Sequence, residues 1–311
     1  MSGRFARFAA LAESCDPEAA AEVRRALAGV DENAIVLAQV LGAAYPALKA
    51  LAITRIDALA AIAREGLRAP RKRAELVRRL LAACGSGGGK TIDPMAVRRG
   101  LRRASAAERL RIALRELVPE IDVDVTAREW SDLAEAQLEV ALLEARAHVE
   151  ARFGPIATGS GARNGFVVIG LGKLGGSELN AGSDVDLMFL HESDEGFASP
   201  TGAADLDALR PFDAFTRVAR RLVPTLEEHD DDGFCARVDL RLRPEGGSGP
   251  LVNSIASSVG YYEAFGRGWE RAALVRARPI AGDLDVGARA LSELSPFVWR
   301  RAVDPAIALE M

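Results

Sequence analysis

Two aspartates separated by one residue lie in the segment of this sequence that is richest in chemistry, FVVIGLGKLGGSELNAGSDVDLMFLHE at residues 166–192. An apolar run leads into a Gly-rich turn, and a second apolar run carries the acidic pair. Because side chains alternate between the faces of a strand, Asp184 and Asp186 should project from one face and Val185 and Leu187 from the other. Neighbouring carboxylates in a low-dielectric cleft repel each other unless a cation lies between them. The pattern therefore predicts a site for a hard divalent cation with oxygen ligands, most simply Mg²⁺.

The turn before the acidic pair has the composition of a phosphate site. Backbone N–H groups of such a turn can bind an anion, and Mg²⁺ commonly binds through one or two carboxylates plus substrate phosphates. Lys173 either contacts a phosphate or points into solvent, and Ser183 either orients a carboxylate or caps the turn. The candidate phosphate-binding residues of this segment are Lys173, Gly175, Gly176, Ser177 and Ser183.

A third carboxylate is needed if two metal ions are to flank a transferred phosphorus, and Asp239 in CARVDLRLRPEGGSGPLV is the candidate. Residues 235–242 alternate as a strand would, which predicts that Asp239, Arg241 and Arg243 share one face. A guanidinium is a planar fork of donors matched to phosphate, so both arginines are candidate phosphate ligands, with a structural ion pair as the alternative. The combination indicates nucleotidyl transfer, with Asp184, Asp186 and Asp239 as the catalytic, metal-binding residues.

Three separated blocks resemble a known enzyme family. They read GLGKLGGSELNAGSDVDLMF, VDLRLRPEGGSGPLV and YYEAFGRGWERAALVRARPIAGD, and they lie in this order between residues 166 and 283. The sequence resembles the bifunctional glutamine synthetase adenylyltransferase/adenylyl-removing enzymes, which belong to the polymerase-β-like nucleotidyltransferase superfamily. The resemblance implies that the superfamily pattern falls at Gly175-Gly176-Ser177, at Asp184 and Asp186, and at Asp239.

The resemblance also implies a reaction and its partners. Enzymes of this family carry two catalytic modules: the first removes AMP from a tyrosine of glutamine synthetase by phosphorolysis and releases ADP, and the second attaches AMP from ATP. The helical stretch before the motif and the length of the chain predict the first, adenylyl-removing module. The expected partners are adenylylated glutamine synthetase, inorganic phosphate and ADP or ATP, with the PII signalling protein as a further possibility.

Two alternatives stay open. The same carboxylates would serve AMP transfer from ATP onto glutamine synthetase, because forward and reverse reactions share a transition state. A regulatory or docking fragment without catalysis is the other alternative, and it would bind glutamine synthetase or PII without turnover.

The composition favours a soluble enzyme. The chain has 311 residues and a formal net charge of −4, so its charge gives no reason to expect a nucleic-acid substrate. No apolar run has membrane-spanning length, and the N-terminus lacks the layout of a signal peptide. Cys15, Cys84 and Cys235 have no metal-type spacing, which predicts reduced thiols and a cytoplasmic location.

Apolar periodicity divides the chain. Residues 1–155 should form a helical N-terminal region, 156–290 the nucleotidyltransferase catalytic domain, and 291–311 the start of a truncated C-terminal helical segment. The fold class expected from the resemblance is therefore α+β: a polymerase-β-like mixed sheet with flanking helices, preceded by a helical domain. Helices are predicted at 34–41, 51–62, 74–83, 95–101, 106–117 and 131–149, and later at 205–228, 254–265 and 285–294.

Overall fold

The first half of the protein is helical. The computed structural model describes residues 3–85, 94–199 and 207–299, and its first strand begins only at Phe166. The helices before that strand are α1 Gly3–Cys15, α2 Pro17–Ala26, α3 Glu32–Ala44, α4 Lys49–Thr54, α5 Ile56–Glu65, α6 Arg73–Ala83, α7 Pro94–Glu116 and α8 Val123–Phe153.

The boundaries of these helices follow local chemistry. Asp31 accepts a hydrogen bond from the backbone N–H of Ala34 at the start of α3, and Asp122 caps α8 in the same manner. Gly154 ends α8 with a φ of +79°, a conformation that glycine adopts at low cost. The two helices predicted at 95–101 and 106–117 form one continuous helix, because no Gly or Pro breaker follows Gly100 in that stretch.

A small mixed sheet follows. Its strands are β1 Phe166–Gly170, β2 Val185–His191, β3 Val238–Asp239, β4 Val252–Ser254 and β5 Arg278–Gly282, accompanied by α9 Gly172–Gly175, α10 Pro211–Glu227, α11 Ile255–Phe265, α12 Gly268–Leu274 and α13 Leu284–Val298. The order is β3-β2-β1-β5, with β4 also paired to β2. β1 is antiparallel to β2 and β5, whereas β3 and β4 run parallel to β2. The expected mixed sheet with flanking helices is confirmed.

The sheet packs between two groups of helices. On one side Phe166 of β1 stacks on Phe215 of α10, with ring centroids 5.0 Å apart, and α8 packs beside them. On the other side Met188 of β2 lies in a core with Tyr262 of α11 and Phe297 of α13. The first core runs without interruption from Phe8 to the sheet, so α1–α8 share buried apolar surface with the strands that carry the acidic motif.

Several predicted boundaries need correction. The strand predicted over 235–242 comprises only Val238–Asp239, because the backbone N–H of Arg241 donates to Asp239 Oδ1 at 2.8 Å and turns the chain. The helix predicted at 205–228 begins at Pro211; residues 200–206 lie outside the described ranges. The C-terminal segment predicted over 291–311 is described only to Trp299, and its first residues belong to α13.

No helix within residues 3–85, 94–199 and 207–299 combines the length and the apolar character needed to cross a bilayer.

A buried ionic network fixes α7 against α8. Arg111 Nη2 and Arg115 Nε both donate to the Glu129 carboxylate at 2.5 Å, and all three side chains are at most 2% exposed. Glu108 accepts from Arg111 Nε at 2.8 Å, and Arg71 joins the same cluster. Removing one member of such a cluster leaves a buried charge uncompensated, which is far more costly than losing a surface ion pair.

We expect Glu129→Ala to lower the free energy of unfolding by about 3–5 kcal/mol, because two buried guanidinium groups would lose their carboxylate. The control is Glu120→Ala, which removes the solvent-exposed partner of Arg7 and should change stability little. Denaturant titration followed by circular dichroism measures both. Similar effects for the two variants would show that the buried network contributes little to stability.

Candidate active site

The pairing of β2 with the short β3 brings two of the predicted acids together. The strands run parallel, with Val185 opposite Val238 and Asp186 opposite Asp239. Asp184 directly precedes β2, two residues before Asp186 and on the same face. Asp184, Asp186 and Asp239 all line one open, polar cavity of about 480 Å³.

Like charges in this cavity affect one another. Partial burial raises the pKa of Asp186, and the neighbouring Asp239 and Asp184 raise it further, while Arg241 and Lys173 oppose the shift. The charged form of the Asp186 carboxylate is therefore disfavoured in this cavity. A cation at this point would relieve the repulsion.

Two arginines supply positive charge from the strand segment around Asp239. Arg241 Nε donates to both oxygens of Asp239, at 3.0 and 2.9 Å, and these hydrogen bonds lower the pKa of Asp239. Arg237 Nε donates to Asp184 Oδ1 at 2.5 Å. The Arg241 side chain is 81% exposed and that of Arg237 58%, so both pairs are screened by solvent and exchangeable.

Lys173 and Ser183 meet at one side chain on the rim of the cavity. Lys173 Nζ donates to Asn180 Oδ1 at 3.0 Å, and Ser183 Oγ donates to the same oxygen at 2.5 Å. All three residues line the cavity with the acids. The exposed ammonium of Lys173 is thereby held at the mouth, where an anion would enter.

The Gly-rich turn approaches the acids through Gly172. Its φ is +51°, and a Cβ built on it would lie 2.4 Å from Asp186 Oδ2. Only a residue without a side chain permits this approach, so the backbone of the turn packs directly against the central carboxylate.

The later residues of the turn, Gly175, Gly176 and Ser177, do not face the acids. The backbone N–H groups of Gly175, Gly176 and Ser177 donate to carbonyls inside the turn, at 2.8, 3.2 and 3.1 Å. Ser177 Oγ accepts from Arg278 Nη2 at 2.9 Å, and none of the three lines the cavity. Their predicted contact with phosphate therefore stays a prediction without support from this geometry.

Arg243 lies outside the cavity that all three acids line. Its guanidinium donates to the backbone carbonyls of Leu240, Gly247, Gly249 and Pro250, at 2.7–3.2 Å, and so holds the loop after β3. It lines a neighbouring cavity of about 420 Å³ together with Asp184, Asp239 and Arg241. The strand predicted to give Asp239 and Arg243 a common face ends at Asp239, where the chain turns, but both side chains still line this neighbouring cavity.

Sequence reasoning missed Arg237 and Asn180. The sequence did contain a signal for Arg237. Arg237 lies two residues before Asp239, so the strand alternation that groups Asp239 with Arg241 also places Arg237 on that face. No comparable signal pointed to Asn180, whose role depends on the loop between α9 and β2 returning to Lys173.

The donor set fits a hard divalent cation, since three carboxylates open on one cavity and repel one another there. In the part of the chain that the structure describes, no group of three or more His, Cys, Asp or Glu side chains is gathered into a metal site. Arg237 and Arg241 occupy oxygens of Asp184 and Asp239 that a metal ion would need.

Comparison with known proteins adds an independent finding. Residues 34–293 match the family model described as glutamate-ammonia ligase adenylyltransferase. The chain is also similar to curated proteins named bifunctional glutamine synthetase adenylyltransferase/adenylyl-removing enzyme. The relative from Mesorhizobium japonicum is 39% identical over 220 residues, which cover 70% of this chain and 22% of that protein.

Two further relatives carry the same name. The one from Thioalkalivibrio sulfidiphilus is 40% identical over 215 residues, 68% of this chain and 21% of that protein. The one from Nitrosococcus oceani is 43% identical over 206 residues, 66% of this chain and 21% of that protein. The chain thus spans about a fifth of the length of the curated relatives it matches. Because the family model covers most of the chain and includes every acid of the cavity, the chain belongs to the glutamate-ammonia ligase adenylyltransferase family.

Proposed function

We propose that this chain contains a nucleotidyltransferase centre that removes AMP from a tyrosine of adenylylated glutamine synthetase by phosphorolysis, with ADP as product. The observation that carries the proposal is the register of β2 and β3, which places Asp186 beside Asp239 on a cavity shared with Asp184. The names of the relatives, which include both adenylyl transfer and adenylyl removal, support this reaction class.

The proposed fold of the catalytic part is polymerase-β-like. Support comes from the antiparallel β1–β2 pair, the Gly-rich turn that joins the two strands, and the third acid on a strand beside β2. Asp184, Asp186 and Asp239 would hold Mg²⁺, which neutralises charge on the transferring phosphoryl group when bound.

The cationic rim supports phosphate as a substrate. Lys173, Arg237 and Arg241 surround the mouth of the cavity. The hydrogen bond of Lys173 to Asn180 and the exposed ion pairs of the two arginines with the carboxylates can be exchanged for contacts with an anion. An incoming inorganic phosphate would be bound by guanidinium forks and oriented for in-line attack. Catalysis would then rest on positioning and electrostatics, without a protein nucleophile.

Arg243 and the segment Gly175–Ser177 have supporting roles in this proposal. Arg243 holds the loop that follows Asp239, and the turn brings Gly172 against Asp186. Glutamine synthetase is the proposed protein substrate, and PII is a proposed regulatory partner. AMP transfer from ATP at the same centre is the competing direction.

We expect Asp186→Asn to reduce turnover at least about a hundredfold, because it removes a charged ligand without changing shape. Folding should be unaffected or slightly strengthened: the pKa of Asp186 is raised in the folded protein, so its charged form is disfavoured there. The assay is ADP release from adenylylated glutamine synthetase with Mg²⁺ and phosphate, beside a thermal melt.

The matched control is Asp285→Asn, an exposed acid at the start of α13, which should leave turnover unchanged. Retention of most activity by Asp186→Asn would refute the assignment. If the chain releases pyrophosphate from ATP with unmodified glutamine synthetase but no ADP in the first assay, AMP transfer from ATP is supported instead. Binding of glutamine synthetase or PII with neither product would support a docking fragment.

Gly172→Ala should also abolish turnover, because the added methyl would collide with Asp186 Oδ2. Gly161→Ala is the control: its φ is +84°, so it introduces comparable backbone strain, of about 1–2 kcal/mol, but a Cβ there meets no atom within 4 Å. Both variants should lose stability through this backbone strain, but only Gly172→Ala should lose ADP release. Equal activities would contradict the close approach of the turn to Asp186.

Removal of divalent cations by EDTA should stop ADP release, and added Mg²⁺ should restore it, because the three carboxylates repel one another without a cation. Metal binding can be measured directly by calorimetry, where Asp184→Asn should weaken it. Full activity in EDTA would exclude the proposed dependence on Mg²⁺.

A further inference from the structure

A second cavity adjoins the candidate active site and differs from it in character. It has a volume of about 240 Å³, space for roughly eight waters at about 30 Å³ each. Its walls are largely apolar and come mainly from α8, the loop before β2 and the segment before β3, with Arg109 of α7 and Ala47 also in the lining. Its lining includes Trp130, Leu133, Gln137, Phe234 and Ala236.

The walls of this cavity are held rigidly. The indole N–H of Trp130 donates to Glu116 Oε1 at 2.7 Å, which fixes the orientation of the ring. Phe234 lies under the guanidinium of Arg109, 4.8 Å from ring centroid to Cζ, and its carbonyl accepts from Arg109 Nη1 at 3.2 Å. Two aromatic side chains are therefore presented to the cavity before any ligand arrives.

One polar group in the lining has no partner. Gln137 is 2% exposed, and its Nε2 is buried without a hydrogen-bond acceptor. An unsatisfied buried amide is costly to folding unless a ligand or water completes it. The lining also contains the polar side chains of Arg109, Asn180, Ser183 and Arg237. A largely apolar cavity with an unpaired amide donor in its wall is suited to a flat aromatic ring that carries an acceptor atom.

The two cavities are contiguous. Asn180, Gly182, Ser183 and Arg237 line both of them. A ligand with its phosphate among the carboxylates could therefore extend past Ser183 and place a ring near Gln137. A nucleotide has this shape, because a ribose separates its base from its phosphate.

We propose that the cavity beside Gln137 binds the adenine base of the AMP group that is transferred. This inference rests on the proposed function and specifies its nucleotide subsite. A purine ring nitrogen would accept from Gln137 Nε2, whereas the ring of an adenylylated tyrosine has no acceptor beyond the oxygen that is bonded to phosphorus. Trp130 and Phe234 would supply the aromatic walls for the purine.

Binding can be followed by the fluorescence of Trp130, in a background with Trp269→Phe and Trp299→Phe. ADP with Mg²⁺ should quench this fluorescence saturably, whereas ribose 5-phosphate, which lacks the base, should not. Gln137→Leu should weaken ADP binding about fivefold to tenfold, because it removes one hydrogen bond. Ala236→Phe, at a half-buried wall position, should weaken it more by filling the cavity.

Gln39→Leu is the matched control. Gln39 is also buried, but its Nε2 donates to Ala20 O at 3.1 Å, so its replacement should lower the melting temperature and leave ADP binding intact. Gln137→Leu should do the reverse, with a melting temperature that is unchanged or raised. A merely structural Gln137 would behave as Gln39 does.

Failure of this inference can be distinguished from failure of the proposed function. If the wild type turns over adenylylated glutamine synthetase but Gln137→Leu and Ala236→Phe bind ADP with unchanged affinity, the adenine subsite is overturned and the proposed function stands. If both variants bind ADP more weakly but the wild type releases neither ADP nor pyrophosphate, the subsite is supported and the proposed function is overturned. Equal quenching by ADP and ribose 5-phosphate would overturn the subsite.

Discussion

The parallel pairing of β2 with β3 is the constraint on which the candidate site depends. Although β3 has only two residues, it places Asp239 opposite Asp186, and these acids are 53 positions apart in the sequence, 239 minus 186. Backbone hydrogen bonding therefore forces two carboxylates together against their mutual repulsion. Partial burial and then this repulsion raise the pKa of Asp186.

Surface arginines moderate this repulsion without removing it. Arg241 binds Asp239 and Arg237 binds Asp184, while the lysine at the rim is held by an amide rather than by a carboxylate. Exposed ion pairs of this kind contribute little to stability, so they can be replaced by a metal ion on the acidic side and by phosphate on the basic side. In contrast to these exchangeable surface pairs, the ion pairs in the helical half are buried. Glu129 of α8 binds Arg111 and Arg115 of α7, and α8 forms one wall of the second cavity.

Much of the acidic site was predictable because it depends on short-range periodicity. Asp184 and Asp186 share a strand face whatever the fold around them, and the apolar residues between and after them require burial on the other face. The extent of the strand that carries Asp239 was not predictable. The backbone N–H of Arg241 donates to the Asp239 side chain in place of a strand partner, so the strand ends at Asp239 and the chain turns. After that turn the Arg243 guanidinium donates to four backbone carbonyls of the following loop.

The sequence by itself determined the helical character of the first half and the identity of the three acids, because spacing and residue type fix which side chains can share a face. The mixed sheet was expected from the family resemblance. Only the tertiary structure decided which neighbours those acids have. Gly172 rather than Gly175 meets Asp186, Arg237 joins the cavity, and Gln137 of α8 reaches a recess beside it. These contacts join residues from distant parts of the chain, and such contacts depend on how helices and strands pack, which local periodicity does not encode.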